Sequence, residues 1–170
     1  VEFRSRHTLV DDISLFSTNI SDFSIEDRIL KRLLDITVSL VGLILTSPFW
    51  IVFAILIHME DKGPVFFTQK RMTKNNREFN IIKFRTMKVN VENRSATKND
   101  DRITKVGHIL RKIRMDELPQ ILNILIGDMS VVGPRPEMLE NVQAYTKDMP
   151  EFELRLRVKA GLTGYAQIFG

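Results

Sequence analysis

The chain has 170 residues, no cysteine and a formal net charge of +4, which allows one compact domain and a membrane element but no disulfide and no thiolate metal site. Its three histidines, His7, His58 and His108, lack metal-ligand spacing. The small net charge hides an asymmetry: from Lys62 to Arg114 there are 15 Lys and Arg against 4 Asp and Glu, an excess of +11 that leaves −7 elsewhere.

Residues 1–24 are polar and mixed in charge without sustained periodicity, and read as a linker or the edge of an upstream region. Ser24-Ile25-Glu26-Asp27 is a helix start, with Ser24 as N-cap and acids in the first turn. The chain then loses its charge from Ile36 to Ile57. Those residues are long enough to cross a bilayer, which takes about 20 apolar residues as a helix. Ser47-Pro48 interrupts the run, and proline in a helix interior costs roughly 3 kcal/mol. Lys31-Arg32 stand before the run and Lys62, Lys70 and Arg71 after it, and basic flanks mark the cytoplasmic side. Each arm of about 12 residues reaches only about 18 Å, short of a hydrocarbon core of about 30 Å. The expectation is a re-entrant hairpin that breaks at Ser47-Pro48. A spanning helix with a proline kink, its freed backbone groups taken up by Thr46 and Ser47, and a buried core helix are the alternatives.

After Gly63-Pro64, Val65 to Thr68 reads as a strand, Lys74 to Arg77 as a turn, and Phe79 to Arg85 as a second strand, giving a short hairpin with Lys83 and Arg85 on one face. Residues 88–102 form a polar, turn-rich loop. Ile103, Val106, Leu110 and Ile113 recur at helical spacing opposite Lys105, His108, Arg111, Lys112 and Arg114, an amphipathic basic helix of the kind that lies on a membrane surface or carries a solvated charged face. A helix from Leu118 to Ile126 ends at Gly127, and another runs from Pro136 to Tyr145. Beside the apolar run, the basic block favours an anionic leaflet or an anionic substrate over nucleic acid, which it would signal in a soluble chain.

Three segments could carry chemistry. Asp116-Glu117-Leu118-Pro119 lies where two helices meet, with Asp116 as the expected N-cap; adjacent carboxylates beside Arg114 can bind a divalent cation through oxygen, or leave one free to attack phosphorus. In Asp128 to Pro136, prolines on both sides of Arg135 restrict its backbone, which suits a guanidinium presented to phosphate. Gly161-Leu162-Thr163-Gly164-Tyr165 offers close backbone approach to a ligand.

Taken in order, Lys31-Arg32…Asp35, the apolar run with Ser47-Pro48, Gly63-Pro64-Val65-Phe66-Phe67, Lys83-Phe84-Arg85-Thr86-Met87, Arg114-Met115-Asp116-Glu117-Leu118-Pro119-Gln120, Gly127-Asp128-Met129-Ser130 and Val132-Gly133-Pro134-Arg135-Pro136 resemble the bacterial sugar transferases, the monotopic polyprenyl-phosphate phosphoglycosyl transferases. The resemblance covers roughly residues 28 to 170. It implies an α+β fold, mostly helical, with a short β-hairpin, a re-entrant membrane helix hairpin at Ser47 and Pro48, and amphipathic surface helices. It divides the chain into a linker at 1–27, the membrane helix at 28–62 and a catalytic domain from 63 that continues past residue 170.

The activity implied is transfer of a sugar-1-phosphate from a UDP-sugar to polyprenyl (undecaprenyl) phosphate, through an aspartyl-phosphosugar on Asp116 with release of UMP, as the first step of capsule, exopolysaccharide or glycoconjugate synthesis. Glu117 would join Asp116 in holding Mg²⁺ or handle a proton. Lys83, Arg85, Arg114 and Arg135 would hold phosphates or nucleotide. The implied partners are the two substrates and membrane lipids at the cytoplasmic face of the bacterial inner membrane, with homo-oligomerisation left open and no nucleic acid. A non-catalytic membrane-surface anchor or lipid-binding adaptor is the alternative, and it has no need of Asp116-Glu117 or of the Gly-Pro-Arg-Pro segment.

Overall fold

The computed structural model describes residues 24–89 and 100–164, together with the backbone pairing of residues 5–10 and 13–18. The chain falls into two compact units, residues 1–33 and 34–170. In the first, β1 (Ser5–Val10) and β2 (Ile13–Thr18) pair antiparallel, Ser5 opposite Thr18. The segment read as a linker or the edge of an upstream region contains a hairpin. A helix, α1 (Ile25–Glu60), begins in this unit and runs into the second. Its start is capped as expected: Ser24 Oγ accepts from Asp27 N at 3.1 Å, and Ser24 N donates to Asp27 Oδ2 at 3.2 Å.

The break expected at Ser47-Pro48 does not interrupt the helix, which is continuous from Ile25 to Glu60. The reason is local. Pro48 has no N–H for the carbonyl of Ile44, and Ser47 Oγ donates to that carbonyl at 2.9 Å instead. Thr46 Oγ1 donates to Gly42 O at 2.7 Å and accepts from Trp50 Nε1 at 3.1 Å. Within the second unit one stripe of α1 meets the rest of the protein. Asp35 Oδ1 accepts from Ser130 Oγ at 3.1 Å and from Val131 N at 2.9 Å, Ser39 is buried, and Trp50, Phe53 and Ile57 pack around Phe84. These positions are separated by close to whole numbers of helical turns, so they share one helix face. The other faces keep Val38, Val41, Ile44, Leu45, Ile51, Val52 and Ile55 exposed, and the helix is long and apolar enough to cross a membrane.

β3 (Phe66–Thr73) and β4 (Arg77–Phe84) form the expected hairpin, with Phe67 opposite Lys83 and Arg71 opposite Phe79. Asn75 and Asn76 turn the chain between them at φ of 59° and 56°, a left-handed backbone that asparagine tolerates. Of the 88–102 loop, residues 90–99 lie outside the described residues; its ends are held by a bridge between Met87 and Ile103.

α2 (Lys105–Lys112) follows, capped by Thr104 Oγ1, which accepts from Gly107 N, and by Glu60, whose carboxylate accepts from Lys105 N at 2.6 Å and Val106 N at 2.8 Å. Val106 and Leu110 face inward against Ile57 and Phe84, while Ile109 and Ile113 stay exposed. Arg114, at φ 57°, ends this helix, and Met115–Glu117 makes a single 3₁₀ turn. α3 (Gln120–Ile126) starts later than expected, with Pro119 and not Asp116 at its N-cap position, and ends at Gly127, φ 101°.

β5 (Ser130–Val132) and β6 (Gly161–Thr163) pair in parallel. Gly161 is needed here for contact with protein, since a Cβ on it would run into the backbone of Gly133. Tyr165 lies outside the described residues. α4 (Leu139–Asp148) begins three residues after Pro136; the segment from Pro134 to Met138 is irregular, as proline drives the residue before it away from helical backbone. One core joins Phe79, Ile81, Ile124, Met129 and Ala160; a second joins Ile57, Phe84 and Leu110.

Candidate active site

The 3₁₀ turn presents two adjacent carboxylates in different surroundings. Glu117 Oε1 lies 2.7 Å from Lys83 Nζ, at the end of β4, and 3.5 Å from Arg135 Nη2. Burial pushes the Glu117 carboxyl up, but the charge and hydrogen bond of Lys83, with Arg135 and Arg114 beyond, outweigh it and hold the group below its ordinary value. Asp116 shifts the other way. Burial raises its carboxyl above the usual range and Glu117 adds to the rise, opposed by Lys83, Arg111 and a hydrogen bond from its own backbone.

Three elements hold this turn in place. Asn123 on α3 is 1% exposed; its Oδ1 accepts from Ile82 N at 3.0 Å and its Nδ2 donates to Asn80 O at 2.8 Å, which locks α3 against β4. Arg111 Nε donates to Thr86 Oγ1 at 2.8 Å and ties α2 to the chain leaving β4. The Arg135 segment is clamped by β6: Gly133 N donates to Thr163 O and Gly161 N to Pro134 O, both at 2.9 Å. Arg155 Nη2 donates to the Arg135 carbonyl at 2.8 Å and packs its guanidinium over Phe152.

Of the residues singled out from sequence, Lys83, Glu117 and Arg135 converge by direct contact, with Asp116 beside them. Arg114 contributes its charge to Glu117. Arg85 goes elsewhere: it is buried, donates to the Asp61 carbonyl, and lies 3.6 Å from the Asp61 carboxylate at the end of α1. Ser47 and Pro48 belong to the middle of α1. Two further side chains, Arg71 and Gln120, line a narrow cleft with Lys83, Glu117 and Arg135 between walls of Ile81 and Pro136. The available signal was strand register: Arg71 on β3 shares a face with Ile81 and Lys83 on β4. A larger concavity lined by Asn75, Asn76, Glu151 and Arg157 includes none of these groups.

Among the described residues no group of three or more His, Asp or Glu converges to hold a metal ion. Asp116 and Glu117 are adjacent oxygen donors, with Glu117 Oε1 already engaged by Lys83 and Arg135. Mg²⁺ in general is held by one or two carboxylates, with phosphate and water oxygens completing the shell.

A family model described as bacterial sugar transferase matches residues 26–170. The chain belongs to the bacterial sugar transferase family. Its relatives include a UDP-N-acetylgalactosamine-undecaprenyl-phosphate N-acetylgalactosaminephosphotransferase of Aeromonas hydrophila, 43% identical over 82% of this chain and 34% of the relative. A UDP-glucose:undecaprenyl-phosphate glucose-1-phosphate transferase of Klebsiella pneumoniae is 46% identical over 85% of this chain and 32% of the relative. The exopolysaccharide production protein PSS of Rhizobium leguminosarum is 42% identical over 85% of this chain and 76% of the relative. The chain thus spans about a third of the length of the first two.

Proposed function

We propose that this sugar transferase chain moves a sugar-1-phosphate from a UDP-sugar to undecaprenyl phosphate at the cytoplasmic face of the bacterial inner membrane, with Asp116 as nucleophile. The observation that carries the assignment is the unequal state of the two carboxylates. Glu117 is neutralised by Lys83 and Arg135, whereas among the described residues no ion pair engages Asp116, whose burial makes its carboxylate more basic. Two neighbouring acids pushed in opposite directions take different roles.

In the first step an Asp116 carboxylate oxygen forms a bond to the phosphorus that carries the sugar. The bond from that phosphorus to the bridging oxygen breaks, and the electron pair leaves with UMP. In the second, an oxygen of undecaprenyl phosphate attacks the same phosphorus, and the bond to Asp116 breaks. Lys83 and Arg135 orient the phosphoryl oxygens and offset their charge, the main demand of phosphoryl transfer. Asp116 and Glu117 would hold Mg²⁺, which when bound supplies further charge compensation on the diphosphate. Asp116→Asn tests the assignment: UMP release from the UDP-sugar should vanish while the protein stays membrane-bound, and retained turnover would remove Asp116 as nucleophile.

The exposed apolar faces of α1 are the proposed membrane contact. Asp35 and Glu60, about 37 Å apart along the helix, both bond to the same unit, which supports both ends on one side of the bilayer. Cysteines placed before Lys31 and after Lys62 should label from the same side of sealed vesicles; labelling from opposite sides would refute the arrangement.

A further inference from the structure

Gln120 is 2% exposed, lines the cleft beside Glu117, and its Nε2 has no hydrogen-bond partner. Arg71 lines the same cleft. Its Nη2 donates to Gln69 Oε1 at 2.7 Å and one Nη1 contact reaches Pro136 O at 3.4 Å, but its Nε is buried and unpartnered. Buried donors are almost always paired in native proteins, so two orphans lining one cleft need an explanation. Both are donors, and both stand with Lys83 and Arg135, a set whose chemistry suits an oxygen-rich anion. Burial also depresses the Arg71 guanidinium, with Glu137 and Glu117 opposing and Arg135 adding to the shift; an incoming anion would relieve that penalty.

We propose that Arg71 and Gln120 form a second phosphate subsite in the cleft, beyond the phosphorus attacked by Asp116. The inference rests on the transfer reading for its substrate and on the orphaned donors for its location. Lys83 and Arg135 meet at Glu117, next to Asp116, and so serve the reacting phosphorus. Arg71 lies four residues further along the hairpin face, opposite Phe79, about 13 Å from Lys83 measured along the strand. Its guanidinium, directed into the shared cleft, can meet a phosphate adjoining the one attacked. The nucleotide phosphate that leaves in UMP is such a group, and the lipid phosphate is the other source of the same chemistry.

The test uses the full chain in detergent with UMP and uridine as calorimetric probes, and turnover with undecaprenyl phosphate. Gln120→Leu and Arg71→Met should each weaken UMP binding about 10- to 100-fold, the loss of a hydrogen bond to a charged group, with uridine binding unchanged. Gln120→Leu should melt at or above the wild-type temperature, since an apolar side chain of similar size removes the orphan donor; a merely structural glutamine would lower it. Unchanged UMP binding with a matching rise in KM for undecaprenyl phosphate would assign the subsite to the lipid phosphate. If neither changes in either variant, the subsite does not exist. Should the wild type bind UMP through these residues yet release none from any UDP-sugar, the subsite stands and the transfer reading falls.

Discussion

Replacing Lys83 by methionine removes the closest cation from Glu117 while keeping the aliphatic stem. At 2.7 Å, with side chains 18% and 21% exposed, the gross attraction of the pair is about 6 kcal/mol at an effective dielectric constant near 20. Desolvation of both groups offsets most of that, and Arg135 remains within 3.5 Å of the same oxygen, so the net loss falls to about 1–3 kcal/mol, below the 3–5 kcal/mol typical of breaking a fully buried pair. For a chain of this size that lowers the melting temperature by about 3–10 °C at pH 7.

The loss also depends on pH with a defined sign. The Glu117 carboxyl is depressed in the folded protein, so its ion pair stabilises above the ordinary glutamate value and is lost as pH falls through the folded one. The gap between wild type and Lys83→Met should therefore be full at pH 7, narrow as pH drops below the ordinary glutamate range, and close beneath the depressed value. Calorimetric scans of both proteins across that range measure it. A gap that stays constant down to the acid limit would refute the ion pair as its origin.

Asn123→Ala should cost about 2–4 kcal/mol, since it strands Ile82 N and Asn80 O and frees α3 from β4; thermal denaturation should show the loss, with turnover falling alongside as Glu117 moves. Gly161→Ala should abolish folding of the β5–β6 pair, because no rotamer change relieves a clash with the Gly133 backbone, and a soluble, cooperatively melting variant would contradict the packing. Turnover should fall as pH drops through the Asp116 value, which is raised, so the acid limb of the pH–rate profile should lie above the usual aspartate range; Arg111→Met, which removes a cation that lowers this group, should move the limb higher.

The β3–β4 hairpin was legible because its two apolar stretches flank Lys-Asn-Asn-Arg, a turn signal that survives in any tertiary setting. The same reasoning set Lys83 and Arg85 on one face, but in the structure Lys83 meets Glu117 and Arg85 meets Asp61. Alternation sets them on one face only while the strand lasts, and β4 ends at Phe84, so Arg85 is free to point to Asp61. Proline in the apolar run signalled a break because the rule prices the missing N–H alone; Ser47, whose hydroxyl occupies the Ile44 carbonyl, keeps the helix whole. Asp116 looked like an N-cap because Pro119 can open a helix from its first turn or precede it as a cap, and only the left-handed Arg114 decides for the later start. Arg71 could have been found from strand register, whereas Gln120 stayed hidden because it enters the cleft only once α3 packs against β4. The orphaned donors, Arg71 Nε and Gln120 Nε2, are a property of the packing that no linear pattern records.

The central claim is a bond between Asp116 and phosphorus, and a single-turnover measurement tests it most directly. Wild-type protein mixed with UDP-sugar labelled at the sugar-bearing phosphate, without lipid acceptor, should release one equivalent of UMP per active chain and keep one equivalent of label on the peptide containing Asp116; added undecaprenyl phosphate should then discharge it. UMP that forms only when the lipid phosphate is present, with no label retained on the protein, would contradict the covalent account.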